Sequence, residues 1–517
     1  MGRVDLIWLG NSAPPPLWPI GAVTLSEATP SALANRLREV LGGCEAEGCL
    51  FWDSALEAPD PRRVQEALAR PADLWHAGLR LGMTGLPGLL DFVAPTWMLN
   101  RDPAPTIEAT SWRLSLRACL VRTEVLRRLG GSRPEFLTLE GAALELGHRY
   151  LMRGALMRYV PWLLGEGMPA GACSLPFDDE LRFIYYRFGR LWSRWSAARA
   201  LLTGYAHPAR ILGAWKNLRR AERPPESEAL RPRPFDLVRA RGEARISVVL
   251  PTLDRYTYLR TLLGQLRNQT IMPTEILVMD QTSLGRRDPT LAASFQDLPL
   301  KHVFLDHAGQ CSSRNLGLVS ARGDFILFLD DDDEVPPDLI AKHLDTLHTF
   351  RADVSSGVAD EKGAGPVPEA FRLLRASDVF PTNNTLIRRR VLDGSGLFDL
   401  AYERGQRADG DLGMRVYLSG AFMVLNPQIS VLHHHAPEGG LRTHKARVIT
   451  YASSRARLAH RHLPSATEIY LAKRYFAPRQ TREMLWLGCL GTFSIRGSAL
   501  RKLVKALVAV VLLPLSL

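Results

Sequence analysis

A shift of 266 positions lays residues 118–161 on residues 384–427 without a gap, with 13 identities in 44 positions. The matched pairs include Leu120/Leu386, Arg122/Arg388, Val125/Val391, Arg149/Arg415, Met157/Met423 and Pro161/Pro427, and the runs Leu146-Gly147/Leu412-Gly413 and Gly154-Ala155/Gly420-Ala421. The match continues thinly into the next helices, where Arg182, Ile184, Tyr186 and Arg190 meet Arg447, Ile449, Tyr451 and Arg455. Solenoid repeats are about 20–50 residues long, so this spacing implies a tandem duplication of one whole fold. A chain of 517 residues has room for it, since domains run to roughly 50–250 residues.

The second copy carries the denser chemistry. In residues 323–338 an apolar run, 325–329, ends on Asp330 and reads as a strand buried on both faces. It delivers Asp330, Asp331, Asp332 and Asp333 to its C-terminal end, where open α/β sheets bind ligands. Four adjacent anions repel one another and call for a cation, and hard divalent ions take oxygen ligands. Taken alone, the run also reads as a solvated acidic turn, with Pro336-Pro337 at a helix entry and Asp338 in the first turn.

Other segments alternate between strand and helix patterns. Strands are expected at 4–9, 50–53, 246–250, 275–279 and 301–305, and helices at 144–157, 181–202 and 256–268. Residues 118–125 introduce a helix-like segment, and 157–164 are strand-like with Pro161 inside. Residues 222–234 are rich in Pro and Glu and read as a linker. Strands alternating with helices argue for a parallel, doubly wound sheet.

The six cysteines (Cys44, Cys49, Cys119, Cys173, Cys311, Cys489) form no CxxC pair, so neither a zinc knuckle nor a disulfide framework is indicated. A reducing cytosol suits them. One Arg, a short apolar run and three prolines do not make a signal peptide, and Leu6 breaks the myristoylation pattern. The net charge of +12 is concentrated in the tail: from Arg442 onward stand 14 Lys/Arg against Glu468 and Glu483, which is 14 − 2 = +12. A neutral body with a basic tail suggests an anionic surface, membrane or nucleic acid. The apolar run 506–515 is too short to span a bilayer, which needs about 20 residues, but with its basic flanks it suits interfacial attachment. A helical pair packed on the body is the other reading. No recognisable nucleic-acid module is present.

Six pieces then fall in order over residues 245–440: Val248-Val249-Leu250-Pro251-Thr252 with Asp254-Arg255, Leu277-Val278-Met279-Asp280, Ser313-Arg314-Asn315-Leu316-Gly317, Phe328-Leu329 with the aspartates, Asn384-Thr385-Leu386-Ile387-Arg388-Arg389, and Asp409-Gly410-Asp411-Leu412-Gly413-Met414-Arg415. In this order they resemble the inverting, nucleotide-sugar-dependent family 2 glycosyltransferases of the GT-A fold. The resemblance implies an α/β chain of two tandem GT-A (Rossmann-like) domains with a helical C-terminal extension. Its divisions are a degenerate GT-A-like domain at 1–165, a helical segment and linker at 166–240, the catalytic domain at 241–440, and a basic tail at 441–517.

The resemblance also implies roles. Pro251, Thr252 and Asp254 would line the nucleotide pocket, and Asp280 would accept from a ring N–H of the base, which suits uracil or thymine. Arg314 and Asn315 would sit on a helix pointing at the diphosphate, with Arg314 paired to a nearby Asp as the alternative. Asp330-x-Asp332 resembles the DxD motif that holds Mg²⁺ or Mn²⁺, whose charge offsets that of a diphosphate leaving group. Asp331 would lie near the sugar or ribose. Asp409 occupies the position of the base that takes the acceptor hydroxyl proton, although Ala408 replaces the family's preceding Glu. Asp411, at i, i+4 to Arg415, reads as an orienting residue. His433, of the run His433-His434-His435, is the candidate third metal ligand or a diphosphate contact.

In the first copy Ala143 stands at the position of Asp409, Glu145 at that of Asp411, and Ala55 at that of Asp332, which leaves Asp53 alone. That copy is therefore expected to be non-catalytic, and to brace the active copy, bind an acceptor or mediate association. The expected reaction moves a sugar from a nucleoside diphosphate to a hydroxyl of a glycan or lipid-linked acceptor in cell-envelope or surface-polysaccharide synthesis. The expected location is the cytoplasm, with candidate attachment to the inner face of the cytoplasmic membrane. No Gln-x-x-Arg-Trp motif occurs, against a processive synthase. A silent sugar-nucleotide-binding or scaffold subunit is the alternative. A nucleotidyltransferase would need a Gly-rich basic loop where Pro251-Thr252-Leu253-Asp254 stands.

Overall fold

Each half of the chain builds its own mixed sheet. The computed structural model describes residues 2–15, 23–25, 29–77, 88–93, 98, 101–165, 174–219, 222–230, 233–237, 244–363, 367, 369–440, 458–459, 463–493, 495 and 497–514. Unit 1 comprises Met1–Arg233 with Leu373–Ala376, and unit 2 comprises Pro234–Arg372 with Ser377–Leu517.

Unit 1 contains β1 (Val4–Leu9), β2 (Val23–Leu25), β3 (Gly48–Asp53), β4 (Leu74–Ala77), β5 (Ala118–Arg122) and β6 (Met157–Tyr159), in the spatial order β2-β1-β3-β5-β4-β6. Only β5 runs antiparallel to its neighbours. Its core stacks Leu6, Leu50, Trp52, Trp75 and Leu120.

Unit 2 contains β7 (Ile246–Thr252), β8 (Glu275–Asp280), β9 (Leu300–Phe304), β10 (Phe325–Phe328), β11 (Asp333–Glu334), β12 (Val354–Glu361), β13 (Thr385–Arg388) and β14 (Met423–His433). The path β8-β7-β10-β13-β12-β14 repeats the unit 1 order strand for strand, with β13 antiparallel as β5 is. Strand β9 extends one edge and β11 pairs antiparallel with β14 at the other.

The registers agree as well. Leu50 faces Leu120 as Leu327 faces Leu386, and Leu74 faces Val121 and Met157 as Val354 faces Ile387 and Met423. This pairing places Asp53 where unit 2 has Asp330. The loop chemistry repeats too: Gly130 and Gly396 both hold positive φ, at 75° and 74°, and close the helices Thr123–Leu129 and Arg390–Ser395. In both units an Arg reaches back to that region, Arg149 to the Leu129 carbonyl and Arg415 to the Ser395 carbonyl. Expected continuation of the repeat at Arg447, Ile449, Tyr451 and Arg455 lies outside the described residues.

Several local expectations change. Residues 118–125 begin as strand β5 and turn helical only at Thr123, because a short apolar run buried between two strands carries no helical period. The helix expected at 144–157 is α1 (Leu139–Leu151), started by the Thr138 hydroxyl accepting from the Gly141 N–H at 3.1 Å. Strand β6 stops at Tyr159, and Pro161, with no N–H to give a ladder, opens a 3-10 turn. The long helix Phe177–Leu202 is broken at Gly189, where φ is 84°. Strand β10 ends at Phe328, not at Leu329.

Four helices position the unit 2 site: α2 (Tyr256–Arg267), α3 (Gln310–Ser320), α4 (Leu339–Thr349) and α5 (Ala408–Leu418). Gly317 lets α3 lie close on the sheet, because a Cβ there would stand 2.7 Å from Val249 Cγ1. Further along are α6 (Pro478–Gly491) and α7 (Ala499–Leu512). Helix α7 is inverted: Lys505 and Ala509 are buried, and Leu500, Leu503, Leu507, Val510 and Val511 are exposed. Among the described residues no helix is long and apolar enough to cross a membrane. Cys44, Cys49, Cys119, Cys311 and Cys489 are buried free thiols; Cys173 lies outside the described residues.

Candidate active site

The acidic run does not project as a row. Asp331 and Asp332 form a turn, and Asp333 folds back so that its Oδ2 accepts the Asp330 N–H at 2.8 Å. Each carboxylate then faces a different partner. Asp330 takes the Arg314 guanidinium at 2.7 Å. Asp331 accepts from the Thr252 hydroxyl at 2.8 Å and from Arg255 at 2.9 Å. Asp332 accepts from Arg255 at 3.1 Å and from the Ala436 N–H at 2.7 Å. Asp333 accepts from His433 Nδ1 at 2.9 Å.

Asp331, Asp332 and Asp333 are buried, so desolvation and mutual repulsion oppose their charge. Burial pushes Asp331 up to about 6 and Asp333 up to about 7. Asp332 goes the other way: burial would raise it, but the charges of His433 and Arg255 and the Ala436 N–H hold it below the ordinary carboxylate value. His433 is lifted to about 9, since its hydrogen bond to Asp333 and the surrounding aspartates outweigh its burial.

The remaining expected site residues sit around this turn. Thr252 and Asp280 are register partners at the ends of β7 and β8, with Pro251 preceding Thr252. Asp280 is fully buried and already bonded, to Tyr256 Oη at 2.6 Å, His302 Nε2 at 2.8 Å and the Thr282 N–H at 2.9 Å. Burial opposes its charge, yet these three donors keep it below the ordinary value. Asp254 holds φ at 59°, pairs with Arg286, and keeps Oδ1 buried with no hydrogen-bond partner among the described residues.

Two expectations for α3 meet different partners. The amide of Asn315 donates to the Phe398 carbonyl at 2.9 Å and accepts the Phe398 N–H at 2.8 Å, so both ends are spent on a loop. The helix N-terminus, expected to face a diphosphate, receives the Glu403 carboxylate on the N–H groups of Cys311 at 2.7 Å and Ser312 at 3.0 Å. Arg314 takes the alternative open to it, pairing with Asp330.

Asp409 and Asp411 begin α5 but differ in setting. Asp409 is exposed. Asp411 is fully buried under Arg415 at 3.0 Å, Arg474 at 3.1 Å and Tyr475 at 2.8 Å. The loop before α5 is tied to α3 through Gln310, whose amide donates to the Tyr402 and Gly405 carbonyls. This holds the loop that leads into α5 against the N-terminus of α3, the helix that carries Arg314. Three of the four described non-glycine residues with positive φ, Asp254, Arg407 and His435, flank this region. Strained backbone of that kind gathers at functional sites.

Sequence reasoning quoted Arg255, Asp333 and His435 but gave them no role of their own, and it passed over Tyr256, His302, Glu361 and Glu403. Arg255 and Tyr256 follow Asp254 just past a strand and carried a local signal. His302, Glu361 and Glu403 arrive from elements far along the chain.

Among the described residues of unit 1 the same location holds no acidic cluster. Asp53 is paired with Arg117 at 2.8 Å and Ala55 donates its N–H to it. A cavity of about 370 Å³ opens there, lined by Leu9, Asp53, Arg117, Thr138 and Leu144 among others. Glu145 is fully buried against Arg149 at 3.2 Å, the counterpart of Asp411 with Arg415.

Residues 247–409 match the model of Glycosyl transferase family 2. An uncharacterized glycosyltransferase YwdF of Bacillus subtilis (strain 168) is 28% identical over 168 residues, covering 30% of this chain and 62% of that protein. A GalNAc(5)-diNAcBac-PP-undecaprenol β-1,3-glucosyltransferase of Campylobacter jejuni is 32% identical over 94 residues, covering 18% of this chain and 30% of that protein. The chain thus spans less than two thirds of these relatives. Among solved structures, a mannosyltransferase of Pyrobaculum calidifontis with GDP-Man and Mn²⁺ has a TM-score of 0.37 at 18% identity, covering 55% of this chain and 78% of that one.

Proposed function

We propose, from the match of residues 247–409 to the model of Glycosyl transferase family 2, that unit 2 is an inverting transferase moving a sugar from a nucleoside diphosphate to an acceptor hydroxyl. The observation that carries this reading is the meeting, past the ends of β7 and β10, of the acidic turn with Arg255 and Arg314. Pro251, Thr252, Asp254 and Asp280 would hold the nucleotide, with Asn315 supporting the loop beside it. Arg314, released from Asp330 by an incoming anion, would turn its planar fork of donors to the diphosphate. Asp409, exposed and free to meet an acceptor, would take the hydroxyl proton.

A divalent ion fits the donor set present. His433 gives its Nδ1 proton to Asp333, which leaves Nε2 as a ligand, and buried Asp332 stands 3.9 Å from the same ring. Asp330, Asp332 and His433 would hold Mg²⁺ or Mn²⁺, which when bound would offset charge on the departing diphosphate.

Unit 1 is read as a silent copy, because Ala143 and Ala55 stand where Asp409 and Asp332 would be needed. Its cavity leaves acceptor binding open to it. The acceptor is proposed to be a glycan or lipid-linked glycan at a membrane surface, to which the basic tail and the exposed leucines of α7 would attach.

One observation favours a second reading, a silent scaffold: Arg255 and Arg314 already neutralise the acidic turn. The deciding experiment screens nucleoside diphosphate sugars for donor hydrolysis and transfer with Mn²⁺, comparing wild type with Asp409→Asn. A transferase should lose roughly 10²–10⁴-fold in turnover while still binding donor. Donor binding with no turnover by the wild type, across the panel, would leave the scaffold.

A further inference from the structure

We infer that Glu361, His433 and His435 form a metal site of their own at the ends of β12 and β14, suited to a borderline first-row ion such as Mn²⁺, Co²⁺ or Zn²⁺. The inference needs no assumption about sugar transfer, because it concerns only what these side chains can bind.

The backbone brings the three together. Glu361 and His433 are direct register partners on the parallel strands β12 and β14. His433 closes β14 and His435 follows two residues on, past the strand's end, with its ring against that of His433. His434 is engaged elsewhere, by Glu334 and by Lys362 at 3.3 Å. One ligand atom from each of Glu361, His433 and His435 can be chosen so that all lie within 4.8 Å of one another.

Three observations go beyond proximity. The imidazoles of His433 and His435 meet edge to face with centroids 4.5 Å apart, which brings two ring nitrogens into one corner. His433 donates from Nδ1 to Asp333 at 2.9 Å, the carboxylate–histidine arrangement that orients a ring and presents Nε2 to a metal. His435 is held at a φ of 51°, a left-handed conformation with no glycine to ease it, and this turns its ring onto Glu361.

The donor set decides the class of ion. Two imidazoles and one carboxylate suit Mn²⁺, Fe²⁺, Co²⁺ or Zn²⁺, whereas Mg²⁺ prefers all-oxygen shells with several waters. The carboxylates of the acidic turn are less available, since Asp331 and Asp332 share Arg255 and Asp330 holds Arg314. His433 is the one residue common to both sets, and with Nδ1 on Asp333 its Nε2 serves one ion at a time, so the two sets are alternatives for it.

The test is a Co²⁺ titration of the full chain after chelation, read by ligand-field absorption in the absence of nucleotide. Wild type should bind one ion with an imidazole-type spectrum. Glu361→Gln and His435→Ala should each weaken binding at least tenfold, and Asp297→Asn, a surface carboxylate outside both sets, should stay within twofold. His435→Cys should restore binding and add a sulfur-to-metal charge-transfer band, a signal that guards against simple misfolding of the alanine variant. Wild-type affinity in both Glu361→Gln and His435→Ala, no charge-transfer band in His435→Cys, loss of the signal in Asp297→Asn, or no Co²⁺ binding by wild type would each overturn the inference. The failure of the transferase reading is separate: it is seen in donor turnover, which this titration does not use.

Discussion

Arg255 donates to Asp331 at 2.9 Å, and the same nitrogen reaches Asp332 at 3.1 Å, so one guanidinium serves two adjacent buried carboxylates. The backbone of residues 436–440 closes over it: the Glu438 carbonyl accepts from Arg255 Nε at 3.1 Å, and a Cβ at Gly440 would meet the guanidinium at 2.7 Å. The acidic turn is therefore neutralised from within the chain, and the lining leaves no space for a larger residue at position 440.

Arg255→Met should destabilise unit 2 by about 3–5 kcal/mol, since it leaves two buried carboxylates without their cation. Added Mn²⁺ should recover part of that loss and raise the melting temperature of the variant more than that of wild type. Thermal denaturation with and without Mn²⁺ checks this. A variant that melts with wild type would show that Arg255 is not the counter-charge.

Asp409 and Asp411 should separate function from stability. Asp411→Asn removes a fully buried carboxylate from Arg415, Arg474 and Tyr475 and should cost about 3 kcal/mol. Asp409→Asn changes an exposed side chain and should leave the melting temperature within about one degree, as surface substitutions usually do. Equal melting temperatures for the two variants would contradict the burial of Asp411.

His343 should make unit 2 acid-sensitive. Its ring is fully buried between Ser355 Oγ and Asn384 Oδ1, both at 2.9 Å, and burial depresses its pKa from 6.5 to about 4. The Asn384 amide nitrogen gives its hydrogens to the Val358 and Ile429 carbonyls, so Oδ1 must accept and His343 Nε2 must carry the proton. The unfolded chain binds the additional proton between pH 6.5 and about 4, so this contribution is intact above pH 6.5 and is lost as pH falls through that window. From pH 7 to pH 5 the loss should be about 2 kcal/mol. His343→Gln should be less stable at pH 7 but should show a shallower decline, read by denaturant melts at both pH values. Parallel declines would rule out His343 as the titrating group.

The inverted helix α7 should carry membrane attachment. Leu503→Glu with Leu507→Glu removes two exposed leucines, each worth about 1.5–3 kcal/mol if buried in lipid, so sedimentation with phosphatidylglycerol vesicles should fall more than tenfold. Wild-type binding should also weaken with salt, as the basic tail requires. Retention of the double variant on vesicles would assign the exposed face to another role.

Local sequence carried the strands well where period and burial agree. Residues 246–250 and 275–279 could be read because parallel strands buried on both faces are continuous apolar runs. Residues 118–125 misled because a five-residue run has no period to measure. Within the site, Asp330 to Asp333 were visible as a charge pattern, but their directions were not. Whether Asp332 faces Arg255 or a metal depends on a turn closed by Asp333 and on the chain at Ala436, 104 residues away.

What the chain alone determined is the duplication, the place of several strands along it and the residues lost from the first copy. Those follow from identities and hydrophobic period, which are local properties of the polypeptide. Tertiary structure decided which polar groups meet: Arg255 on two aspartates, Glu403 on the start of α3, Asn315 on the Phe398 backbone, and Glu361 beside two histidines. A side chain's charge is written in sequence, but its partner is set by which strand ends the sheet gathers, and in a low-dielectric interior that partner governs its chemistry.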